Sequence, residues 1–367
     1  MVTVRQNIID LSYTQLKELV RSLGEPAYRV DQILWWIYGK LSTSFDEMTD
    51  LPLALRQRLA VVASLSRLTP IDEKISADGQ TRKVLFRLDD GRTIESSLMF
   101  YEKAGSSRER RTVCVSTQVG CNIRCPFCAT GQQGFERNLR PGEIIEQVLY
   151  FMRLVSAEQV AGKAATDSDR RSVTNVVFMG MGEPLANYEA VWQSIEILNS
   201  KRGPGLGARQ ITISTAGLVP QIRRLAGEKI HVELAVSLHA AKDALRNRLV
   251  PINKKYPLSQ LIPACREYFK KTGRRPTFEY ALFRGVNDSV EHARELAHLL
   301  EGMNCQVNLI AGNPSACKEY APSPMKRVLA FQTILKDSGL SSTVRVSRGV
   351  DIEAGCGQLR SRSVGGR

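Results

Sequence analysis

Histidine is scarce in this sequence, and long apolar runs are missing. Four histidines occur in 367 residues, at positions 231, 239, 292 and 298. His292 and His298 fall in a helical pattern of surface type, so histidine offers little to a metal site. No apolar run approaches the 18 or so residues that span a bilayer, which excludes a membrane helix and leaves no membrane partner. The N-terminal stretch MVTVRQNIIDLSYTQ lacks a basic start followed by an apolar segment. No secretion signal is therefore expected, and the cytoplasm is the expected location. Internal repeats and low-complexity segments are also missing, which excludes a repeat array.

Acid is in short supply too. Asp and Glu number 37 against 51 Lys and Arg, a net charge of +14. Such an excess favours a polyanionic partner, because Lys and Arg neutralise phosphates and release counterions. Basic clusters lie at SSRERRT (106–112), NKK (253–255) and KKTGRR (270–275). After Glu353 the tail carries Arg360, Arg362 and Arg367 and no acid. No aromatic-interleaved RNA-recognition signature accompanies them. What remains is an ordinary globular composition, with length for one large α/β domain and a smaller one.

The first 70 or so residues read as helical. Ser12 with Gln15, and Ser44 with Glu47, have capping-box spacing. AYRVDQILWWIYGK has helical periodicity, and Pro52 opens LPLALRQRLAVVA. Trp35, Trp36 and Tyr38 are expected to pack a small helical core rather than to stack on bases. KVLFRLDDGRTIESSLMF alternates on either side of Asp90-Gly91, which predicts a hairpin. Six strand patterns then alternate with helices, beginning at VCVSTQ (113–118) and ending at CQVNLI, with a last strand in STVRVSRG. Residues 156–172 read as a surface loop. This order predicts parallel strands joined by crossovers, as an open partial barrel or a doubly wound sheet. In either, the site belongs at the carboxyl ends of the strands.

CNIRCPFCATG (121–131) falls at such an end. It sets Cys121, Cys125 and Cys128 at spacings x3 and x2, with Phe127 before the last. A tetrahedral zinc site wants a fourth ligand, and none lies nearby in sequence. A cubane iron–sulfur cluster held by three thiolates keeps one iron open for a chelating small molecule. Cys265 and Cys305 read as buried core residues, and Cys317 is assigned nothing.

The C-x3-C-x2-C spacing after the first strand of a β/α array resembles the radical S-adenosylmethionine (SAM) superfamily. VCVSTQVGCNIRCPFCATGQQGFERNL, MGMGEPLAN, ITISTAG, SLHA, RLVPINKKY and RGVDIEAGCGQLR together resemble the RlmN/Cfr family of RNA methylases, almost end to end. The resemblance implies an α/β fold: a partial (β/α)6 radical SAM barrel with a small N-terminal helical domain and a C-terminal tail carrying a catalytic cysteine. It implies domains at 1–75 (helical, RNA-binding), 76–112 (hairpin connector), 113–340 (radical SAM core) and 341–367 (strand and tail). It implies one [4Fe-4S] cluster on Cys121, Cys125 and Cys128, and SAM as cosubstrate. Expected partners are 23S rRNA, tRNA and an electron donor such as flavodoxin or ferredoxin, with the enzyme a monomer.

Site residues follow from the same resemblance. Cys356 is the cysteine that one SAM methylates and from which the methylene reaches the base. Cys114 is the resolving cysteine, through a transient disulfide with Cys356. Glu95 is the proton acceptor, although by its own pattern it reads as a solvent-facing strand residue. Gly182 and Glu183 lie near the methionyl amine, since Gly permits close approach and a carboxylate complements an ammonium. Ser214, Ser237, Leu238, His239 and Asn313 match the remaining SAM contacts. Gly355 replaces the family's usual alanine, and LIAGNPSAC departs from its LIPxNP pattern. Methylation at adenine carbon 2 is the first expectation. Carbon 8, a zinc-stabilised RNA-binding module and a small-molecule substrate stay open.

Overall fold

The computed structural model describes residues 5–66, 68–101, 110–160, 173–313, 318–345 and 348–359. Cys317, residues 106–109 and 161–172, and Arg360, Arg362 and Arg367 lie outside them.

Three helices open the chain: α1 (Tyr13–Ser22), α2 (Arg29–Leu34) and α3 (Leu53–Val62). Both capping boxes form; the second caps a short 3-10 turn at Phe45–Glu47. α2 ends early, and Trp35–Gly39 continues as a π turn. Val20, Ile33, Leu55 and Leu59 are fully enclosed between the helices. Tyr38 is buried there as expected, whereas Trp35 is half exposed. Gln6–Asn7 pairs in parallel with Ala63–Ser64, closing the unit.

A ten-stranded sheet follows. Its strands are β1 (Leu68–Ile75), β2 (Thr81–Leu88), β3 (Thr93–Tyr101), β4 (Arg110–Cys114), β5 (Asn175–Phe178), β6 (Ile211–Thr215), β7 (Glu233–Ser237), β8 (Thr277–Leu282), β9 (Gln306–Ala311) and β10 (Ser341–Arg345). β1 to β4 are antiparallel, and β4 to β10 are parallel. Across the sheet the order runs β10 to β1 without a reversal. A doubly wound sheet needs a reversal. A one-way order with right-handed crossovers lays the helices on one face and curves the sheet into a partial barrel. The predicted first strand is shorter than its pattern. It ends at Cys114, and Gln118–Gly120 leaves the sheet to pair with Phe135–Asn138.

The crossovers are α4 (Ala129–Gln132), α5 (Pro141–Val160), α6 (Tyr188–Asn199), α7 (Val219–Leu225), α8 (Asp243–Leu249), α9 (Leu258–Thr272), α10 (Val290–Leu299) and α11 (Met325–Asp337). Residues 156–160, expected in a loop, extend α5 instead. The period-2 rule sorts each strand. One set of positions faces the helices: Leu234, Val236, Phe278, Tyr280, Val307 and Leu309 join the core. Their alternates, among them Ser237, Glu279 and Ile310, line the concave face. Cys265 and Cys305 are buried as expected.

The helical unit is pinned to the barrel through α5. Glu146 accepts from Asn7 Nδ2 at 2.5 Å, and from Ser66 Oγ and the Leu68 N–H at 2.9 and 3.1 Å. A buried carboxylate with three donors ties the two units into one body.

Candidate active site

The concave face opens into a pocket lined by the strand-end loops and the tail. Cys121, Cys125 and Cys128 form one end. Phe127 anchors their loop: its ring lies 5.1 Å from both His239 and Phe283. That explains the aromatic before the last cysteine. Burial pushes the Cys121 thiol up to about 12. Burial also raises Cys125 and Cys128, and the neighbouring thiols add to it.

Among the described residues, no three His, Cys, Asp or Glu side chains converge on a point that would hold one metal ion. All three cysteines line this one pocket, so a group of several irons could reach the three sulfurs there. Buried, mutually repelling thiols need positive charge to ionise, and iron supplies it. The donor set therefore fits a cluster.

Gly182 and Glu183 follow β5 on the adjoining wall. Gly182 has φ +102°, and a Cβ there would strike Gln118, at 2.9 Å from its backbone nitrogen. Only glycine fits. Glu183 is buried and spans two strand ends: its oxygens accept from the Leu185 N–H at 3.0 Å and the Ala216 N–H at 2.7 Å. Burial still pushes its pKa up to about 7. A carboxylate raised by desolvation is set to receive an amine.

Ser214, Ser237 and His239 line the same wall. His239 takes a left-handed φ of 57°, its Nδ1 accepts from the Ala281 N–H at 3.0 Å, and burial pushes its pKa down to about 3. Leu238 corrects an expectation. Its side chain is fully buried in the core, because alternation turns it away from the pocket, and its backbone N–H and C=O are taken by Glu279 and Arg246.

Arg246 was not foreseen. It is fully buried behind this wall and donates to the carbonyls of Ala216, Ser237 and Leu238 and to Asn253 Oδ1. One guanidinium thus fixes the ends of both β6 and β7. A polar row on the concave face was missed as well. Glu279 Oε1 accepts from Asn308 Nδ2 at 3.0 Å, and Asn308 Oδ1 accepts from Thr343 at 2.6 Å.

The tail forms the opposite wall. Cys356 is exposed and lines both this pocket and a small adjoining cavity. Cys114, buried, lines the adjoining cavity with it, and both thiols are free. Burial pushes Cys114 up to about 12. Hydrogen bonds from distant segments hold the tail: Ala129 N–H to the Gly357 carbonyl (2.8 Å), Thr130 Oγ1 to the Leu359 carbonyl (2.6 Å), Lys83 Nζ to the Glu353 carbonyl (3.2 Å) and the Ala77 N–H to Asp351 (2.8 Å). Asn313 lines the pocket, but its Nδ2 donates to the Cys356 carbonyl at 2.9 Å. Gly355 makes room for that bond, since a Cβ there would meet Asn313 Nδ2 at 2.8 Å.

Glu95 overturns its own strand pattern. It is 1 % exposed and pairs with Lys83 at 3.2 Å, itself buried. Alternation sets it on the inner face with Ser97 and Met99, and there the tail and the loop after β5 cover it. Glu95 lines neither cavity.

The comparisons with known proteins fit this geometry. A family model described as the ribosomal RNA large subunit methyltransferase N-terminal domain (RlmN_N) matches residues 6–65, and the radical SAM superfamily model matches residues 115–299. A relative from Moorella thermoacetica, named as a probable dual-specificity RNA methyltransferase RlmN, is 47% identical over 99% of both chains. The chain belongs to the RlmN family of the radical SAM superfamily. A relative of the same name from Roseiflexus sp. (strain RS-1) is 46% identical, covering 96% of each chain. A solved structure of a radical SAM methyltransferase from Sphaerobacter thermophilus has a TM-score of 0.89 and 49% identity, over 97% of this chain and 99% of that one. The family assignment thus spans the helical unit, the barrel and the tail alike.

Proposed function

We propose that this RlmN-family enzyme methylates carbon 2 of an adenine in 23S rRNA, and of an adenine in tRNA. Family membership makes it a SAM-dependent RNA methyltransferase. The reading rests on one observation above others: the three-cysteine loop, Glu183 and Cys356 face a single pocket.

Cys121, Cys125 and Cys128 are the residues that would hold the cluster. When bound, SAM on a [4Fe-4S] cluster supplies both the methyl group and a hydrogen-abstracting radical. Glu183 receives the methionyl amine, with Gly182, Ser214, Ser237, His239 and Asn313 around the rest of the molecule. The Cys356 thiolate attacks the SAM methyl carbon, the sulfonium S–CH3 bond breaks and S-adenosylhomocysteine leaves; the new S–C bond is the one that later joins protein to base. Its exposure suits a thiol that must meet RNA. Cys114 attacks the Cys356 sulfur to release the product, and shares a cavity with it. Glu95 accepts the proton from the adenine carbon; Lys83 links it to the Glu353 carbonyl, three residues before Cys356. The helical unit, which ends before β1 (Leu68–Ile75) and so short of the expected residue 75, and the antiparallel strands β1 to β3 hold RNA against the core (113–340) and the tail (341–367). A flavodoxin or ferredoxin gives the electrons. The enzyme works in the cytoplasm as a monomer.

The test is nucleoside mass spectrometry of 23S rRNA from a host lacking its own enzyme and expressing this chain. Formation of 2-methyladenosine is the expected result. Exclusive 8-methyladenosine would keep the chemistry and overturn the position. Neither isomer, with the cluster intact, would overturn the rRNA substrate.

A further inference from the structure

Three arginines gather around one tyrosine beside Cys356. Tyr101 ends β3, and Arg110, which begins β4, is its cross-strand partner. The Arg110 guanidinium lies 5.6 Å from the Tyr101 ring centre, and that of Arg348 lies 4.7 Å from it. Arg345, at the end of β10, lines one small cavity with Tyr101 and Cys356. Tyr101, Arg345 and Arg348 line the small cavity that also holds Cys114 and Cys356.

Like charges this close repel unless something compensates them. The tyrosine face offers cation–π attraction, worth about 0.5–1 kcal/mol at exposed sites. Among the described residues, no carboxylate forms an ion pair with any of the three. The Cys356 sulfur acts most strongly on Arg345, with Glu279 acting from beyond ion-pair distance, and Asp78 acts on Arg348 from the same range. Burial lowers the pKa of Arg110, and Arg345 adds to that effect while Tyr101 opposes it. Arg137, by contrast, pairs with both Asp90 and Glu143. Guanidiniums gathered at a cavity rim with no ion-pair partner among the described residues make a site prepared for an anion.

We propose that Arg110, Arg345 and Arg348 form a phosphate subsite that takes the RNA backbone next to the target nucleotide. The inference rests on the RNA reading above and extends it. The triad adjoins the thiol that must reach the base, so a phosphate held here sets that base over Cys356. The arginines fix register rather than sequence, as backbone contacts do. Tyr101 gives the guanidiniums a common ring to pack on.

The test uses the reconstituted full-length holoenzyme under anoxic conditions and a fluorescein-labelled 23S rRNA stem-loop carrying the target adenine. Binding is measured over a series of salt concentrations for the native protein and for Arg110→Gln, Arg348→Gln, Arg110→Lys and Arg348→Lys. Each Gln variant is expected to reduce the slope of log affinity against log salt by about one. The Lys variants keep the slope, because a point charge still neutralises phosphate. Cluster absorbance and SAM affinity, read on the same preparations, stay at native values and show that the fold is intact. An unchanged slope in both Gln variants would overturn the subsite. So would Lys variants that lose as much as the Gln ones, since that would make the role stacking rather than charge. If the native protein shows no salt-dependent RNA binding, the subsite and the RNA reading fall together. If binding behaves as expected but no methyladenosine forms, the subsite stands and the catalytic reading falls.

Discussion

The two walls of the pocket are built differently. The strand-end wall, with Gly182, Glu183, Ser237 and His239, is made by neighbouring strands and locked from behind by Arg246. The tail wall joins segments far apart in the chain: Lys83 to Glu353, Thr130 to Leu359, Asn313 to Cys356. The first is held by buried hydrogen bonds; the second carries an exposed thiol. The difference suits their proposed work. A wall that binds the same molecule every turnover gains from rigidity. A wall whose sulfur must meet a methyl donor, a base and a second thiol has to release and reform its contacts.

The largest effect should separate the walls chemically. Cys356→Ala should lose RNA methylation to background while keeping native iron and sulfide. Cys121→Ala should lose the cluster and methylation together. Methyl transfer to RNA by Cys356→Ala would break the comparison at its centre.

Next come the buried cations behind each wall. Arg246→Met would strand the Ala216 and Ser237 carbonyls and the Asn253 amide oxygen, and should cost about 3 kcal/mol or more in urea unfolding, with weaker SAM binding. Lys83→Met would remove the cation that faces buried Glu95 and should cost about 3–5 kcal/mol. Lys83→Met with Glu95→Leu should recover most of that loss, because the pair is then replaced by apolar groups. SAM affinity in the double variant should stay native. Recovery without that independence would show the walls to be coupled.

The smallest effect is a pH slope. Burial holds the His239 pKa at about 3, while the unfolded chain takes its proton near 6.5. Below 6.5 the unfolded state therefore binds the extra proton, and stability falls as pH falls, by at most about 1.4 kcal/mol per unit. His239→Asn, tolerated at a left-handed φ, should flatten this part of the stability profile relative to the native protein. Glu183 acts with opposite sign between 4.5 and about 7, so the difference between the two proteins is the quantity to read.

The strand-end wall was legible in the sequence, and the tail wall only partly so. Strand–helix alternation, the hairpin at Asp90-Gly91 and the cysteine spacing are short-range patterns, and each corresponds to an element. The missing strand reversal, which decides for the barrel, lies in the pairing and not in any local pattern. Glu95, Lys83, Glu279 and Arg345 share a single difficulty. Alternation assigns charged strand residues to solvent, and a partial barrel with a covering tail has no free inner face. Their partners lie up to 270 residues away, as for Lys83 and Glu353, so no window along the chain could pair them. Leu238 shows the reverse error: a motif position was assigned to the pocket when alternation already turned its side chain to the core.

The most direct measurement is on Cys114→Ala. The variant, with cluster, SAM, reductant and the RNA stem-loop, is resolved by denaturing electrophoresis, and the adduct is mapped by peptide mass spectrometry. The account predicts a covalent protein–RNA species joined through the peptide containing Cys356, and little free methylated RNA. Free methylated RNA at the native rate with no adduct would contradict it.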